Sequence, residues 1–269
     1  MTLFVPAILV ALFTYLGGAQ TPWLFGKTGG FYVVGRPLVA GLVVGLIFND
    51  LPLAILCSIA VQILYLATVQ TDHHAVDDIC YGAYAGIALT VAATNPHHVD
   101  ARQPWMAVVI AYLIGKLFKV LFAKRREQLA IKFNEQAASE INKGSKNKLG
   151  WYYVCLPQII NFLYRAVPMF LIIFFGTPLL NWFIDGAPDT LLDILSAIGW
   201  IIPVVGLVTL MSTHVKLDRQ LVPLLVGFLM VGALGVTMYW LFAIGLVGFI
   251  IYQLVPTKKP ATEENKVVE

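Results

Sequence analysis

Charge is scarce in this chain. Asp, Glu, Lys and Arg make up 12% of its 269 residues, about half the share of an ordinary soluble domain, while apolar residues reach 59%. A water-soluble fold cannot bury that much apolar surface, so a soluble globular protein is excluded. Cysteine is scarce as well. Cys57, Cys80 and Cys155 are odd in number, lie in apolar runs and show no CxxC or metal-ligand spacing, which excludes a disulfide framework and leaves small core residues. The chain has no nucleophile–base signature, no HExxH and no Gly-rich phosphate loop, so nothing marks it as an enzyme in its own right. It also lacks the polar/apolar alternation of a membrane β-barrel, as LVPLLVGFLMVGALGV (221–236) illustrates. Finally, the first basic residue is Lys27. Without a basic leader, Thr2 to Gly18 reads as a retained helix rather than a signal peptide.

What remains is a series of apolar runs, several approaching the roughly 20 residues a helix needs to cross about 30 Å of hydrocarbon. The chain is therefore expected to be an all-α polytopic membrane protein. Pro, Gly and charge place the elements at Thr2–Gly18, Pro37–Phe48 with Leu51–Val69, Ile79–Thr94, Pro104–Ala123, Ile159–Ile184, Leu191–Ser212 and Leu221–Leu254, the last broken near Gly235. Pro37–Phe48 is too short to span and ends at Asn49-Asp50, which predicts a re-entrant hairpin, since broken backbone is tolerated at membrane depth where protein or water satisfies it. The membrane domain then runs over 1–255, and the polar tail over 256–269 is expected to be disordered. Gly41/Gly45 and Gly82/Gly86 are GxxxG pairs that permit close helix packing. Pro168, Pro203 and Pro223 fall inside apolar runs and should kink them. A similarity between the Arg36-Pro37 run and Arg219–Gly235 hints at internal duplication.

Half of the basic residues fall in one interval. Lys116, Lys119, Lys124, Arg125, Arg126, Lys132, Lys143, Lys146 and Lys148 face only Glu127, Glu135 and Glu140, which places the loop over 116–150 in the cytoplasm by the positive-inside rule. Three crossings before it put the N-terminus outside, and four after it return the tail, with Lys258 and Lys259, to the cytoplasm. Leu129, Phe133, Ala137 and Ile141 recur every four residues, an amphipathic helix that either anchors topology, lies on lipid or docks a partner. No aromatic residues interleave with these charges in a stacking pattern, so nucleic acid is excluded as a partner.

The densest polar cluster lies between Arg36 and Asp78: Gln62, Gln70, Asp72, His73, His74, Asp77 and Asp78. Polar groups at membrane depth are costly and usually line a cavity or pathway, so this is the candidate ligand site. Structural employments compete. Asp78 suits the cap of the helix from Ile79, Asp50 the cap of the second hairpin arm, and Arg36 a snorkelling position at the interface. Arg165, in the middle of an apolar run, is expected to pair with a carboxylate such as Asp193.

RPLVAGLVVGLIFND (36–50), the polar helix ending in Gln70, FLYRAVPMFLIIFFGT (162–177), DILSAIGWIIPVVGLVTLM (193–211) and FAIGLVGFIIYQLVPTKK (242–259) together resemble the IIC component of the mannose/fructose/sorbose class of the bacterial phosphoenolpyruvate-dependent sugar phosphotransferase system. The resemblance covers nearly the whole chain in order and length. It implies a permease subunit of the bacterial inner membrane, made of core and scaffold elements that move elevator fashion. It further implies a homologous membrane partner, IID, assembly as a trimer of IIC–IID pairs, and delivery of a hexose or amino sugar to a cytoplasmic IIB that phosphorylates it. The phosphate relay belongs to IIA and IIB, so no phosphorylated residue and no cofactor is expected here.

Sugar hydroxyls both donate and accept, and amides and carboxylates match them in pairs. On that chemistry Gln62, Gln70 and Asp78 are the leading substrate-binding candidates, followed by Asp72, with the Tyr65 ring offered to the sugar's C–H face. Gln62 and Gln70 stand where mannose-type relatives carry glutamate and asparagine, which points to a different sugar or a different binding geometry. The His73-His74 pair likewise departs from that pattern.

A divalent metal transporter is the alternative, with His73, His74, Asp77 and Asp78 as one site and His97, His98 and Asp100 as another. Adjacent histidines diverge on a regular helix, which disfavours it. On the metal reading, zinc or manganese raises the thermal stability of the purified protein and His74→Ala abolishes the effect; on the sugar reading, neither metal does anything.

Overall fold

The computed structural model describes residues 3–18, 21–25, 27–66, 78–93, 101–142, 155–214, 226–227, 229–231, 235 and 237–254. The chain divides into two compact units, Met1–Leu210 and Met211–Glu269. The first holds α1 (Phe4–Leu16), a π-helical segment (Lys27–Val34), α2 (Pro37–Phe48), α3 (Leu51–Leu64), α4 (Ile79–Ala93), α5 (Gln103–Asn142), α6 (Leu156–Gly186) and most of α7 (Asp189–His214). The second holds α8 (Met238–Leu254), preceded by Gly235 in the left-handed region at φ 63°, where the sequence placed a break. All described elements are helical.

Local signals account for the sharpest boundary. Pro37 opens α2 where its missing N–H is harmless, and Asn49 stops the helix in the left-handed conformation at φ 57°, a role Asn tolerates. Asp50 then caps α3, its Oδ1 accepting from the Leu53 N–H at 3.3 Å. The two arms pack against each other. At 12 and 14 residues they are about 18 and 21 Å long, short of a full crossing. Gln103–Phe122, Leu156–Gly186 and Asp189–Val208 are long and apolar enough to cross, and a further bend of 76° separates Thr28–Val34 from Pro37–Phe48.

That bend was not anticipated. KTGGFYVV winds as a π-helix and closes with Gly35 N–H donating to Gly30 O at 2.8 Å. Arg36 follows it, its guanidinium 5.2 Å from both the Phe31 and Tyr32 rings, close enough for a cation–π contribution.

Two other expectations need correction. The span from Pro104 and the amphipathic helix of the basic stretch are not separate elements, because α5 runs unbroken for 40 residues. No Gly or Pro occurs between Lys116 and Asn142, and the stretch is rich in strong helix formers. Leu129 and Phe133 are half-buried on it, while Ile131 is exposed. Cys57 and Cys80 are buried as expected, but Cys155 is exposed at the start of α6. The Pro223 kink and the 256–269 tail lie outside the described residues.

The core joins α4 to α5, α3 and α2, and α1 to α6. Glycines set the spacing. A Cβ at Gly86 would lie 2.5 Å from Ala107 O and 2.7 Å from Ala111 Cβ, and one at Gly41 would strike Ser58. Both GxxxG pairs are therefore used for packing. Gly86→Leu should drive α4 from α5 and lower the stability of the detergent-purified protein by at least roughly 1–3 kcal/mol. Gly186→Ala, whose Cβ would meet nothing within 4 Å, should leave it unchanged; thermal unfolding of the two variants side by side is the check.

Candidate functional site

Two helix ends converge on one cation. Asp78 precedes α4 and caps it, Oδ1 accepting from the Tyr81 N–H at 3.1 Å. Its carboxylate also takes a two-pronged hydrogen bond from Arg165 in the middle of α6, Nη1 to Oδ2 at 2.6 Å and Nη2 to Oδ1 at 2.9 Å. Arg165 Nε donates to Thr14 O at 3.3 Å, and Cys80 Sγ donates to the same oxygen at 3.5 Å. Thr14 is in the last turn of α1, where carbonyls have no partner in their own helix. The guanidinium thus meets a helix C-terminus and the carboxylate a helix N-terminus, each the end whose dipole favours it.

The pair is sealed. The Arg165 side chain is 3% exposed and that of Asp78 17%. Rings of Phe118 and Tyr81 lie 5.7 and 6.0 Å from the guanidinium carbon and stack on each other at 3.6 Å. Glycine makes room on the other side: a Cβ at Gly18 would sit 2.8 Å from Arg165 Nε, and one at Gly17 2.7 Å from Cys80 Sγ.

The partner expected for Arg165 was Asp193, and this is corrected. Asp193 instead receives Arg102 Nε at 3.0 Å, and Asp189 receives Arg102 Nη1 at 3.0 Å, in a surface cluster where Arg102 is 32% exposed. Asp78 outcompetes because it stands at the buried start of α4, facing α6.

The remaining sequence candidates are distributed as follows. Tyr65 ends α3, is 1% exposed, and donates its hydroxyl to Ala111 O at 3.0 Å. That hydroxyl also abuts Gly82, one turn into α4, so the structure brings Tyr65 close to the end of α4 that carries Asp78. Gln62 lies one turn earlier in α3 and is half-buried. Near it, Gly206 of α7 comes close to the backbone of Leu64, a Cβ there lying 2.8 Å from Leu64 O. Gln70, Asp72, His73, His74, Asp77, His97, His98 and Asp100 lie outside the described residues. Among the described residues, no group of three or more His, Cys, Asp or Glu converges as a metal site would require.

A groove of about 710 Å³ runs along α4, α5 and α6, lined by Leu89, Ile110, Phe175, Leu179 and Trp182 among others. Its walls are apolar and offer no carboxylate or amide to a hydroxylated ligand. The buried ion pair lies elsewhere, where the ends of α1 and α4 meet the middle of α6. The clearest sequence signal for that centre was Arg165 itself, a cation inside FLYRAVPMFLIIFF; what it pairs with could not be read from the run.

Known proteins bear on this arrangement. No curated protein matches the chain. Among solved structures, one described as "Structure of membrane protein" superposes with a TM-score of 0.71 at 17% identity, over 94% of this chain and 96% of that one. The complex of the mannose transporter ManYZ with microcin E492 superposes with a TM-score of 0.50, also at 17% identity and over 94% and 96% of the two chains. Those likenesses concern the fold. A family described as "PTS system sorbose-specific iic component" matches residues 4–252. The chain therefore belongs to the IIC components of the mannose/fructose/sorbose class of the sugar phosphotransferase system, as a sugar-transporting multi-pass subunit of the bacterial inner membrane.

Proposed function

We propose that this chain carries a hexose or amino sugar inward through the membrane and presents it to a cytoplasmic IIB protein for phosphorylation, in a complex with a IID membrane subunit. The observation that carries the reading is the family match over residues 4–252. The ManYZ likeness supports a two-subunit membrane assembly, and three IIC–IID pairs per complex are the expected stoichiometry. IIA supplies phosphate to IIB, which leaves this chain the cavity and the motion.

The substrate site is assigned to Gln62, Gln70 and Asp72, with Asp78 and Tyr65 at its edge. In favour of it, the Tyr65 hydroxyl at the end of α3 abuts Gly82 in the first turn of α4, which brings the end of α3 close to the start of α4. Asp78 and Tyr65, bonded to Arg165 and to Ala111 O, fix the wall against which the sugar sits. The α2–α3 pair serves as a re-entrant hairpin, and the break between the π-helical segment and α2 gives the carrier core a hinge for an elevator-like displacement.

Co-expression with IID, IIA and IIB, followed by uptake of radiolabelled glucose, mannose, fructose, sorbose and glucosamine, tests the reading. Accumulation of at least one as its phosphate is expected, and phosphorylation of none would favour another transported class. Gln62→Ala should raise the half-saturating concentration about ten-fold, the loss of one or two hydrogen bonds, with membrane insertion unchanged. Asp78→Asn acts differently. It leaves the Arg165 charge uncompensated, so reduced uptake should come with a thermal stability loss on the scale of breaking a buried ion pair, roughly 3–5 kcal/mol. Wild-type uptake and melting by Asp78→Asn would remove it from the site.

A further inference from the structure

Beside the Arg165–Asp78 pair, two buried polar side chains find no hydrogen-bond partner among the described residues. Tyr81 is 0% exposed and Asn161 5%, and the Tyr81 hydroxyl and both the Nδ2 and Oδ1 of Asn161 are unsatisfied. Nearly all buried side-chain polar groups are bonded to protein, water or ligand, and an amide or hydroxyl left unpaired in an apolar setting is costly. Packing has not chosen apolar residues at these positions, although Phe and Leu have nearly the same shape.

The two residues belong to one region. Asn161 lies one turn before Arg165 on α6, about 40° around the helix, so both are on the same face. Tyr81 stacks on Phe118 at 3.6 Å, Phe118 meets Phe122 at 4.9 Å, and Phe122 meets Tyr164 of α6 at 5.6 Å. This ring ladder ties α4, α5 and α6 together, meeting α6 three residues after Asn161. Arg165 closes the set, 6.0 Å from the Tyr81 ring. The ladder runs along α5 from Phe118 toward its basic continuation past Phe122. A hydroxyl, an amide and a guanidinium around a flat aromatic wall form a mixed donor–acceptor set, and a hydroxyl group is the ligand that answers it, since it donates and accepts at once. A bare cation would be repelled by Arg165. An anion would gain nothing from Asn161 Oδ1 and would face the Asp78 carboxylate.

We propose that Tyr81 and Asn161 form a hydroxyl-binding station of the sugar's path, beside Arg165 and distinct from the Gln62 end of α3. The proposal rests on the transport reading above. Tyr81 donates to or accepts from one sugar hydroxyl, and the Asn161 amide holds a neighbouring one. The same chemistry would hold ordered water, and the test separates the two.

Tyr81→Phe and Asn161→Leu are made in the full chain, co-produced with its partner subunits. Tyr81→Phe deletes a single oxygen from a ring that keeps its stacking. The half-saturating concentration is measured for the sugar of the panel that is taken up and for each of its mono-deoxy analogues. Both variants should raise it roughly two- to ten-fold for the parent sugar, the effect of one hydrogen bond. For one mono-deoxy analogue, wild type and Tyr81→Phe should coincide, because the hydroxyl that Tyr81 meets is gone from both. Thermal midpoints should stay level or rise, since an unsatisfied polar group has been removed. Unchanged half-saturation for both variants overturns the station, as does an equal loss with every analogue, which would mean bound water instead of sugar. If Gln62→Ala impairs uptake while these variants do not, the station fails and the transport reading stands. If wild type takes up no sugar of the panel, both fail.

Discussion

A guanidinium buried among apolar helices is the constraint around which the first unit is arranged. Taking Arg165 and Asp78 out of water costs several kcal/mol per ion, and the Coulombic return covers that only when the geometry is good and the remaining donors are used. Here they are. The fork-to-fork pairing with Asp78, the Nε bond to Thr14 O, the α1 C-terminus behind it and the α4 N-terminus in front each reduce the residual cost. A shift of α1, α4 or α6 relative to the other two would strand a charge or a carbonyl. The pair thus sets registry among three helices more than it adds net stability, a role for which buried polar groups are suited.

Close packing follows from the same centre. Arg165 can reach Thr14 because Gly17 and Gly18 leave the end of α1 without side-chain bulk, and α4 can lie on α5 because Gly82 and Gly86 do the same there. In lipid no hydrophobic force presses helices together, so contact depends on small residues and interhelical hydrogen bonds. The Tyr65 hydroxyl on Ala111 O and the Tyr84 hydroxyl on Val34 O, both at 3.0 Å, are bonds of that kind. They pin α3 to α5 and α4 to the π-helical segment, which holds two short, broken spans in place within the bundle.

Much of this was legible in the sequence because its signals are local. Pro37, Asn49 and Asp50 define α2 and its turn almost residue by residue, and apolar length identified α6 and α7. The GxxxG pairs announced their use. What was illegible was either non-local or subtle. Arg165 declared itself as a buried cation, yet its carboxylate lies 87 positions away, and Asp193, nearer in sequence, is held by Arg102. The π-helical winding of KTGGFYVV depends on one extra residue per turn, which apolar periodicity does not register. The unbroken course of α5 was hidden by its change from apolar to charged residues, although helix propensity never fell. Tyr81 and Asn161 look like ordinary members of apolar helices until their polar atoms are seen to lack partners among the described residues. Gln70, one of the three leading candidates of the sequence, and the secondary candidate Asp72 remain tied to the site by chemistry alone.

The 40 residues of α5 amount to about 60 Å of helix, roughly twice the hydrocarbon thickness. Ala107, Ala111, Phe118 and Phe122 hold it against α4 and α6, so the part past Phe122 is a lever arm. A tilt of about 10° at Phe122 would sweep Asn142, about 30 Å away along the axis, through roughly 5 Å. Small adjustments where α5 packs on α4 and α6 are in this way geared up into displacements the size of a side chain at its charged end.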